Sequence, residues 1–339
     1  MKRLVGRTFL GLVFVGMVFE TFSVAFSATL ERYTLEGVEM AVPVKIILYA
    51  ESEEQARRAS EAAFWRFRDL NQRLSDYQAE SEIRQLGDFS LPGQFTRVSR
   101  DLWVVLRESV RFAELTEGAF DPTVGQVVRL WRHARKSKKL PPPEKIAETL
   151  QTVGYENILF RESDRAVGFT ENGYEKRVRI DLGGIAKGYA IDEALRVMRL
   201  HGVTRALVDA GGDVGLGDPP PGEPGWKLAV VSMEKEGEPT HFRVLSNCGV
   251  ANSGDLYQFV EIDGQRYSHI VDPQTGLGLT NRRMVSVIAP DAMSADALAS
   301  ALSVMDVKKG LALVERLSGV EVEISQWKGD NKGEEMSPP

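Results

Sequence analysis

The stretch RIDLGGIAKGYAIDEAL, residues 179–195, decides how the chain is read. Its start has the composition of a buried strand, and AKGYAIDEAL has the spacing of the helix that follows. The corner between them carries Asp181, Gly183, Gly184, Lys187 and Gly188. An acid, a base and three glycines at one strand-to-helix corner point to a group that approaches the main chain closely. A phosphate held by backbone N–H groups at a helix start is one reading, and a simple tight turn is the other.

Four more clusters of the same kind surround it. EGAFDPTVG (117–125) places Asp121 after a helix, and DAGGDVGLGD (209–218) is a second glycine-rich strand end with acids. VANSGDLYQ (250–258) sets Ser253 and Asp255 around a glycine, and SHIVDPQTG (268–276) places His269 on a strand and Asp272 in a turn. Each one alone is ordinary turn chemistry, since Asp makes Asx-turns and Gly supplies positive φ. Repeated in one chain, they suggest a backbone cradle for a large polyphosphate ligand and a cation. SADALASAL (294–302) adds Asp296 and Ser300, four residues apart and so on one helix face. A carboxylate and a hydroxyl there, with a nearby carbonyl, suit a hard cation such as Mg²⁺. The alternative is an aspartate that favours a helix N-terminus. The Walker, dinucleotide-fingerprint, nucleophile-elbow and zincin patterns are all missing from the chain.

The 339 residues are 43% apolar and 27% charged, a globular composition. A net charge of −6 excludes the electrostatic footprint of a nucleic-acid binder. Lys2, Arg3 and Arg7 precede the apolar run FLGLVFVGMVF and then SVAFSA. This is a secretory signal-peptide pattern over residues 1–27, with cleavage before Ala28, and it predicts export, as to a bacterial periplasm. An uncleaved anchor is the alternative. Cys248 is the only cysteine, so an intrachain disulfide is impossible, and no cysteine marks a lipoprotein.

The pattern predicts a strand over 42–50 and helices over 53–74 and 100–117, the latter capped by Ser99 and stopped at Gly118. RHARKSKKLPPPEK (132–145) reads as a basic, proline-rich loop before a short helix. Strands follow at 156–160, 177–182, 204–209, 226–233, 241–246, 256–263, 265–271 and 284–289, with a hairpin at Asp263-Gly264. Helices interrupt at 187–201, 292–305 and 307–318, and a strand near 320–325 ends the fold. The fold class is α+β, with mostly antiparallel sheets and flanking helices. One domain spans 28–327, and residues 328–339 form a polar tail of disordered composition.

Taken in order, LNQRLSDYQAESEI (70–83), GAFDPTVGQVVRLW (118–131), IDLGGIAKGYAID (180–192), VDAGGDVGLG (208–217), ANSGD (251–255), HIVDPQTG (269–276) and ADALASAL (295–302) resemble the ApbE family of flavin transferases. The resemblance covers about residues 40–325. It implies a single compact ApbE-like fold, or two lobes around an FAD site. It implies Mg²⁺-dependent transfer of FMN from FAD to a Thr or Ser hydroxyl of an exported or membrane electron-transfer flavoprotein, with release of AMP. By position, Met40, Tyr77, Ala119, Phe120, Asp121, Asp181, Lys187, His269 and Ile270 are expected at FAD. Gly184 through its carbonyl, Asp296 and Ser300 are expected at Mg²⁺. His269 is the expected proton-handling or phosphate-contacting group, with Asp121 or Asp255 as substitutes, and Asp296 is catalytic through the metal. Two departures stand out. Ser300 stands where the family has Thr, which keeps the hydroxyl. MAVP (40–43) stands where the family has Met-Gly-Thr, which removes a glycine's freedom and a backbone N–H. The rival readings are hydrolysis of FAD to FMN and AMP, a non-catalytic FAD-binding protein, and an interaction module built on basic residues 132–139.

Overall fold

The computed structural model describes residues 29–326 apart from 90, 92, 176, 232–238 and 255–257. The expected signal peptide, the polar tail and Asp255 lie outside the described residues.

The framework is a seven-stranded antiparallel sheet. It uses β1 (Glu31–Glu39), β2 (Val42–Ala50), β6 (Ala206–Ala210), β7 (Asp213–Leu216), β10 (Cys248–Gly254), β13 (Arg283–Ala289) and β14 (Glu321–Gln326), in the order β1-β2-β6-β7-β10-β13-β14. Small antiparallel sheets complete the set. They pair β3 (Thr96–Arg97), β5 (Ala166–Phe169) and β4 (Ile158–Arg161), then β8 (Trp226–Val231) with β9 (Pro239–Leu245), and β11 (Phe259–Ile262) with β12 (Gln265–Ser268). The α+β expectation holds.

Along β2, Val44, Ile46 and Leu48 are buried and alternate with more exposed neighbours. That period of two lays one face of the sheet on the helices. Helix α1 (Glu53–Leu74) buries Ala56, Ala59, Ala63, Phe67 and Leu70, the predicted face, and Ser52 caps it. α2 (Glu82–Phe89) and α3 (Arg100–Leu115) follow; Ser99 caps α3, and Gly118 at φ 79 ends it. α4 (Gly125–Ser137), α5 (Pro143–Leu150) and α6 (Glu171–Glu175) lead to α7 (Ala186–Leu200), α8 (Ala292–Val304) and α9 (Val307–Val314). Among the described residues, no helix is long and apolar enough to cross a membrane.

A buried ionic knot ties α1, α3 and α7 together. Arg66 donates to Glu193 at 2.6 Å and to Asp69 at 2.7 Å and also pairs with Asp101, which accepts from Tyr189 Oη at 2.8 Å. Burial alone would raise Asp101, but the hydrogen bonds from Arg66 and Tyr189 carry it below its ordinary value. Removing one partner from such a knot leaves an unpaired buried charge, at about 3–5 kcal/mol.

The structure corrects two local expectations. Residues 132–137 are not loop: α4 continues through Ser137, where Lys138 at φ 56 ends it, and α5 begins at Pro143. The prolines break the chain only after the basic run. The segment 177–182 is not a sheet strand. It runs extended beside the loop 121–125, with Asp181 N donating to Pro122 O at 2.7 Å and Gly125 N to Arg179 O at 3.1 Å. Its backbone groups are taken by another motif rather than by a sheet partner.

Candidate active site

Helix α8 is apolar on almost every side, so it is buried between α7 and the strands β10 and β13. Both of its ends are clamped. At the start, Asp192 of α7 accepts from Ala292 N and Met293 N, each at 2.9 Å, and Asp291 caps Ser294 N at 2.7 Å. At the far end, Arg283 donates to Met305 O at 2.8 Å and Leu302 O at 3.3 Å. These bonds fix Asp296 and Ser300 against the corner at 181–188.

The glycines of that corner have separate tasks. Gly188 lets α7 and α8 touch, since a Cβ there would lie 2.2 Å from Ala292 O. A Cβ on Gly184 would lie 2.7 Å from Ser300 Oγ, so the backbone at 184 abuts the hydroxyl expected to bind metal. Gly183 N donates to Asp181 Oδ1 at 2.8 Å, an Asx-turn.

Lys187 lies between two buried acids. Its Nζ pairs with Asp213 and is 3.2 and 3.3 Å from the two oxygens of Asp296. Burial alone would lower Lys187, but Asp296 and Asp213 hold it charged and well above its ordinary value. Asp296 also accepts from Gly188 N at 3.1 Å. Burial pushes its carboxyl up against the downward pull of Lys187. Two carboxylates and one ammonium leave a net negative charge in this part of the site. Among the described residues, no group of three His, Cys, Asp or Glu side chains could hold a metal ion. A cation here would take one carboxylate, a hydroxyl and a carbonyl, with the rest of its shell from phosphate and water, which is how Mg²⁺ is usually held. The buried charge and the Gly184–Ser300 contact fit that donor set.

At the start of the same corner, Asp181 pairs with Arg132 at 3.0 Å, and Arg132 also pairs with Asp76. Burial, then Asp76, raises the Asp181 carboxyl against the pull of Arg132. The Arg132 guanidinium lies 3.8 Å from the ring centroid of Tyr77, a largely exposed side chain. Trp131, next along α4, donates to Gly276 O at 2.7 Å and ties the helix to the turn made by Asp272. That turn holds the segment 268–271 by Ser268 N to Leu279 O at 2.7 Å and Leu279 N to Ile270 O at 3.0 Å. His269 therefore sits just past the end of β12 rather than on a strand. Its Nδ1 lies 3.1 Å from Gln258 O, which makes Nδ1 the protonated nitrogen of the neutral ring and Nε2 the basic one.

The twelve residues expected at FAD or Mg²⁺ line one cleft of about 620 Å³: Met40, Tyr77, Ala119, Phe120, Asp121, Asp181, Gly184, Lys187, His269, Ile270, Asp296 and Ser300. That volume is in the range of small-molecule sites. Met40 reaches it from the β1–β2 turn, where Met40 and Ala41 take φ 50 and 63. The left-handed turn forms without glycine. Asp121 lines the cleft too, yet both of its oxygens are engaged: Thr123 N at 2.7 Å and Thr123 Oγ1 at 2.5 Å on one, Tyr155 N at 3.1 Å on the other. It organises its loop and is a poor substitute for His269 as a proton acceptor. Sequence reasoning missed Arg132, Arg135, Asp213 and Asn252, which line the same cleft. The helical spacing of Val124, Val128, Arg132 and Arg135 was the available signal for the first two.

The α+β frame is shared with known proteins. The ApbE family model matches residues 40–324, and the chain belongs to that family. A FAD:protein FMN transferase of Haemophilus influenzae is 31% identical over 255 residues, 74% of this chain and 73% of that one. A Vibrio cholerae protein of the same name is 31% identical over 258 residues, 73% of each chain. The crystal structure of the ApbE protein of Thermotoga maritima superimposes with a TM-score of 0.78 at 31% identity, over 87% of this chain and 94% of that one.

Proposed function

We propose that this enzyme transfers FMN from FAD, with Mg²⁺, to a threonine or serine hydroxyl of an exported or membrane electron-transfer flavoprotein, and releases AMP. The observation that carries the reading is convergence. Residues drawn from six separate stretches, each expected at FAD or metal, line one cleft.

Asp296, Ser300 and the Gly184 carbonyl are the residues that would hold Mg²⁺. When bound, the cation offsets charge on the transferring phosphoryl group and on the AMP leaving group. Lys187 adds a fixed positive charge to the same wall. Tyr77 on Arg132 presents an aromatic face at the mouth, suited to a flat ring system. His269 Nε2 accepts the proton of the acceptor hydroxyl as its oxygen bonds to the FMN phosphorus and the pyrophosphate P–O bond breaks. Export follows the signal-peptide pattern of residues 1–27, and N-terminal sequencing of the exported form should begin at or near Ala28.

The test is incubation of the protein with FAD, Mg²⁺ and a candidate acceptor, followed by intact mass of the acceptor and chromatography of the nucleotides. The expected result is one FMN added per AMP released. AMP without a modified acceptor would establish the hydrolase instead, and FAD retained with neither product would establish a carrier.

A further inference from the structure

Asp213 is a buried acid at the site to which the flavin-transfer reading gives no task. It opens β7, just after the Gly211–Gly212 turn, and is 3% exposed. Its Oδ1 accepts from Asn252 N at 3.2 Å, which fixes the carboxylate from the neighbouring strand. Its Oδ2 takes the closest contact of the Lys187 ammonium, while the Asp296 oxygens stand at 3.2 and 3.3 Å from the same nitrogen. The ammonium lies between the two acids, on the side nearer Asp213. This matters because an ammonium fully paired to Asp296 would oppose any dication arriving there, and charges in a buried site are weakly screened.

We propose that Asp213 is a positioning residue for the metal. It is the counterion that draws Lys187 to one side, so that the ammonium does not occupy the Asp296 oxygens that a divalent cation would take. The inference rests on the magnesium reading above. In this role Asp213 is not a ligand of the metal; it acts through Lys187. It also explains why a lysine and a metal-binding aspartate can stand within 3.3 Å of one another. With both acids present, the three groups carry one net negative charge. Without Asp213 they carry none, and among the described residues the carboxylate left to Lys187 is Asp296.

The experiment compares the full chain with Asp213→Asn, Lys187→Met and the double variant, each saturated with FAD. The probe is Mn²⁺, with free ion counted by its paramagnetic resonance signal. Asn at 213 keeps an oxygen to accept from Asn252 N, so the strand pairing is preserved. Asp213→Asn should weaken Mn²⁺ binding by about tenfold or more, the usual loss when a supporting partner of a metal ligand is removed. Lys187→Met added to it should recover most of that loss, because the competing ammonium is gone. FAD affinity in EDTA, read by flavin fluorescence, should be unchanged or tighter in Asp213→Asn, whereas a merely structural defect would weaken it. Wild-type Mn²⁺ affinity in Asp213→Asn, a double variant no better than the single one, or weaker metal-free FAD binding would each overturn the proposal. If the wild type itself binds no Mn²⁺, the magnesium reading falls, and this inference falls with it.

Discussion

Replacing Gly188 by Ala should disable the site from a residue that faces no ligand. The added Cβ would lie 2.2 Å from Ala292 O and 2.6 Å from Met293 Cα, both backbone atoms of the clamped start of α8. Neither atom can rotate away, so α8 must retreat from α7 by about 1 Å to restore ordinary contact. Overpacking of this kind costs about 1–3 kcal/mol. The retreat also stretches the two 2.9 Å bonds from Ala292 N and Met293 N to Asp192. Weakening two hydrogen bonds to a buried carboxyl adds about 1–3 kcal/mol. The expected destabilisation is therefore about 2–6 kcal/mol, read from urea unfolding followed by far-ultraviolet circular dichroism. Asp296 and Ser300 ride on the displaced helix, and a shift of about 1 Å in a reacting geometry lowers rate by about a hundredfold. Single-turnover release of AMP measures that loss. Gly183→Ala is the control: its Cβ would meet only the Asp181 side chain, at 2.9 Å, so the effect should stay under about 1 kcal/mol. A Gly188→Ala protein with wild-type unfolding midpoint and turnover would refute the claim that this helix contact sets the site.

Four further outcomes follow from the same geometry. His269→Ala should lower FMN transfer by about a hundredfold or more in the steady state if Nε2 takes the acceptor's proton, and an unchanged rate removes it from that role. Asp296→Ala should abolish Mg²⁺-dependent turnover while Ser300→Thr retains it, since only the first loses a ligand atom; normal turnover in Asp296→Ala with Mg²⁺ would overturn the metal assignment. Ala41→Gly should raise stability by about 0.5–1 kcal/mol in urea unfolding, because φ 63 strains alanine more than the extra freedom of glycine costs in the unfolded chain. Burial pushes Asp192 up to about 7 against its two backbone donors, Ala292 and Met293. Between its ordinary range and that value, the folded protein holds a proton that the unfolded chain releases, so stability should fall as pH rises through about 4 to 7. Urea midpoints at the two ends of that window should differ less in Asp192→Asn than in the wild type, and equal differences would deny Asp192 this role.

Much of the frame was legible because periodicity and caps are local. Helix α1 and its apolar face came from spacing, the Ser99 cap of α3 from its residue type, and the hairpin from the Asp263-Gly264 turn signal, where both residues take positive φ. What failed was non-local. The end of α4 looked like loop because of its charge and the prolines beyond it, yet Trp131 is buried and hydrogen-bonded to Gly276 O, 145 residues away. Residues 177–182 have strand composition, but their partner is the loop at 121–125.

The same limit separates the acids. Asp121, Asp181, Asp213 and Asp296 all stand near glycine or in small-residue helix starts, and sequence offers little to rank them. Their partners do. The oxygens of Asp121 are both satisfied by donors of its own and the 154–155 loop, so a ligand finds little there to bind. Asp181 shares Arg132 of α4 with Asp76. Asp213 and Asp296 face one ammonium between them, from positions 26 and 109 residues along the chain. A buried pair of carboxylates with a single cation has charge left to offer, and burial makes that charge unfavourable until something arrives to neutralise it. The Asp76–Arg132–Asp181 wall has the same imbalance, so what marks the Asp296 end for a dication is its further oxygens: the Ser300 hydroxyl and the Gly184 backbone stand beside the acid there.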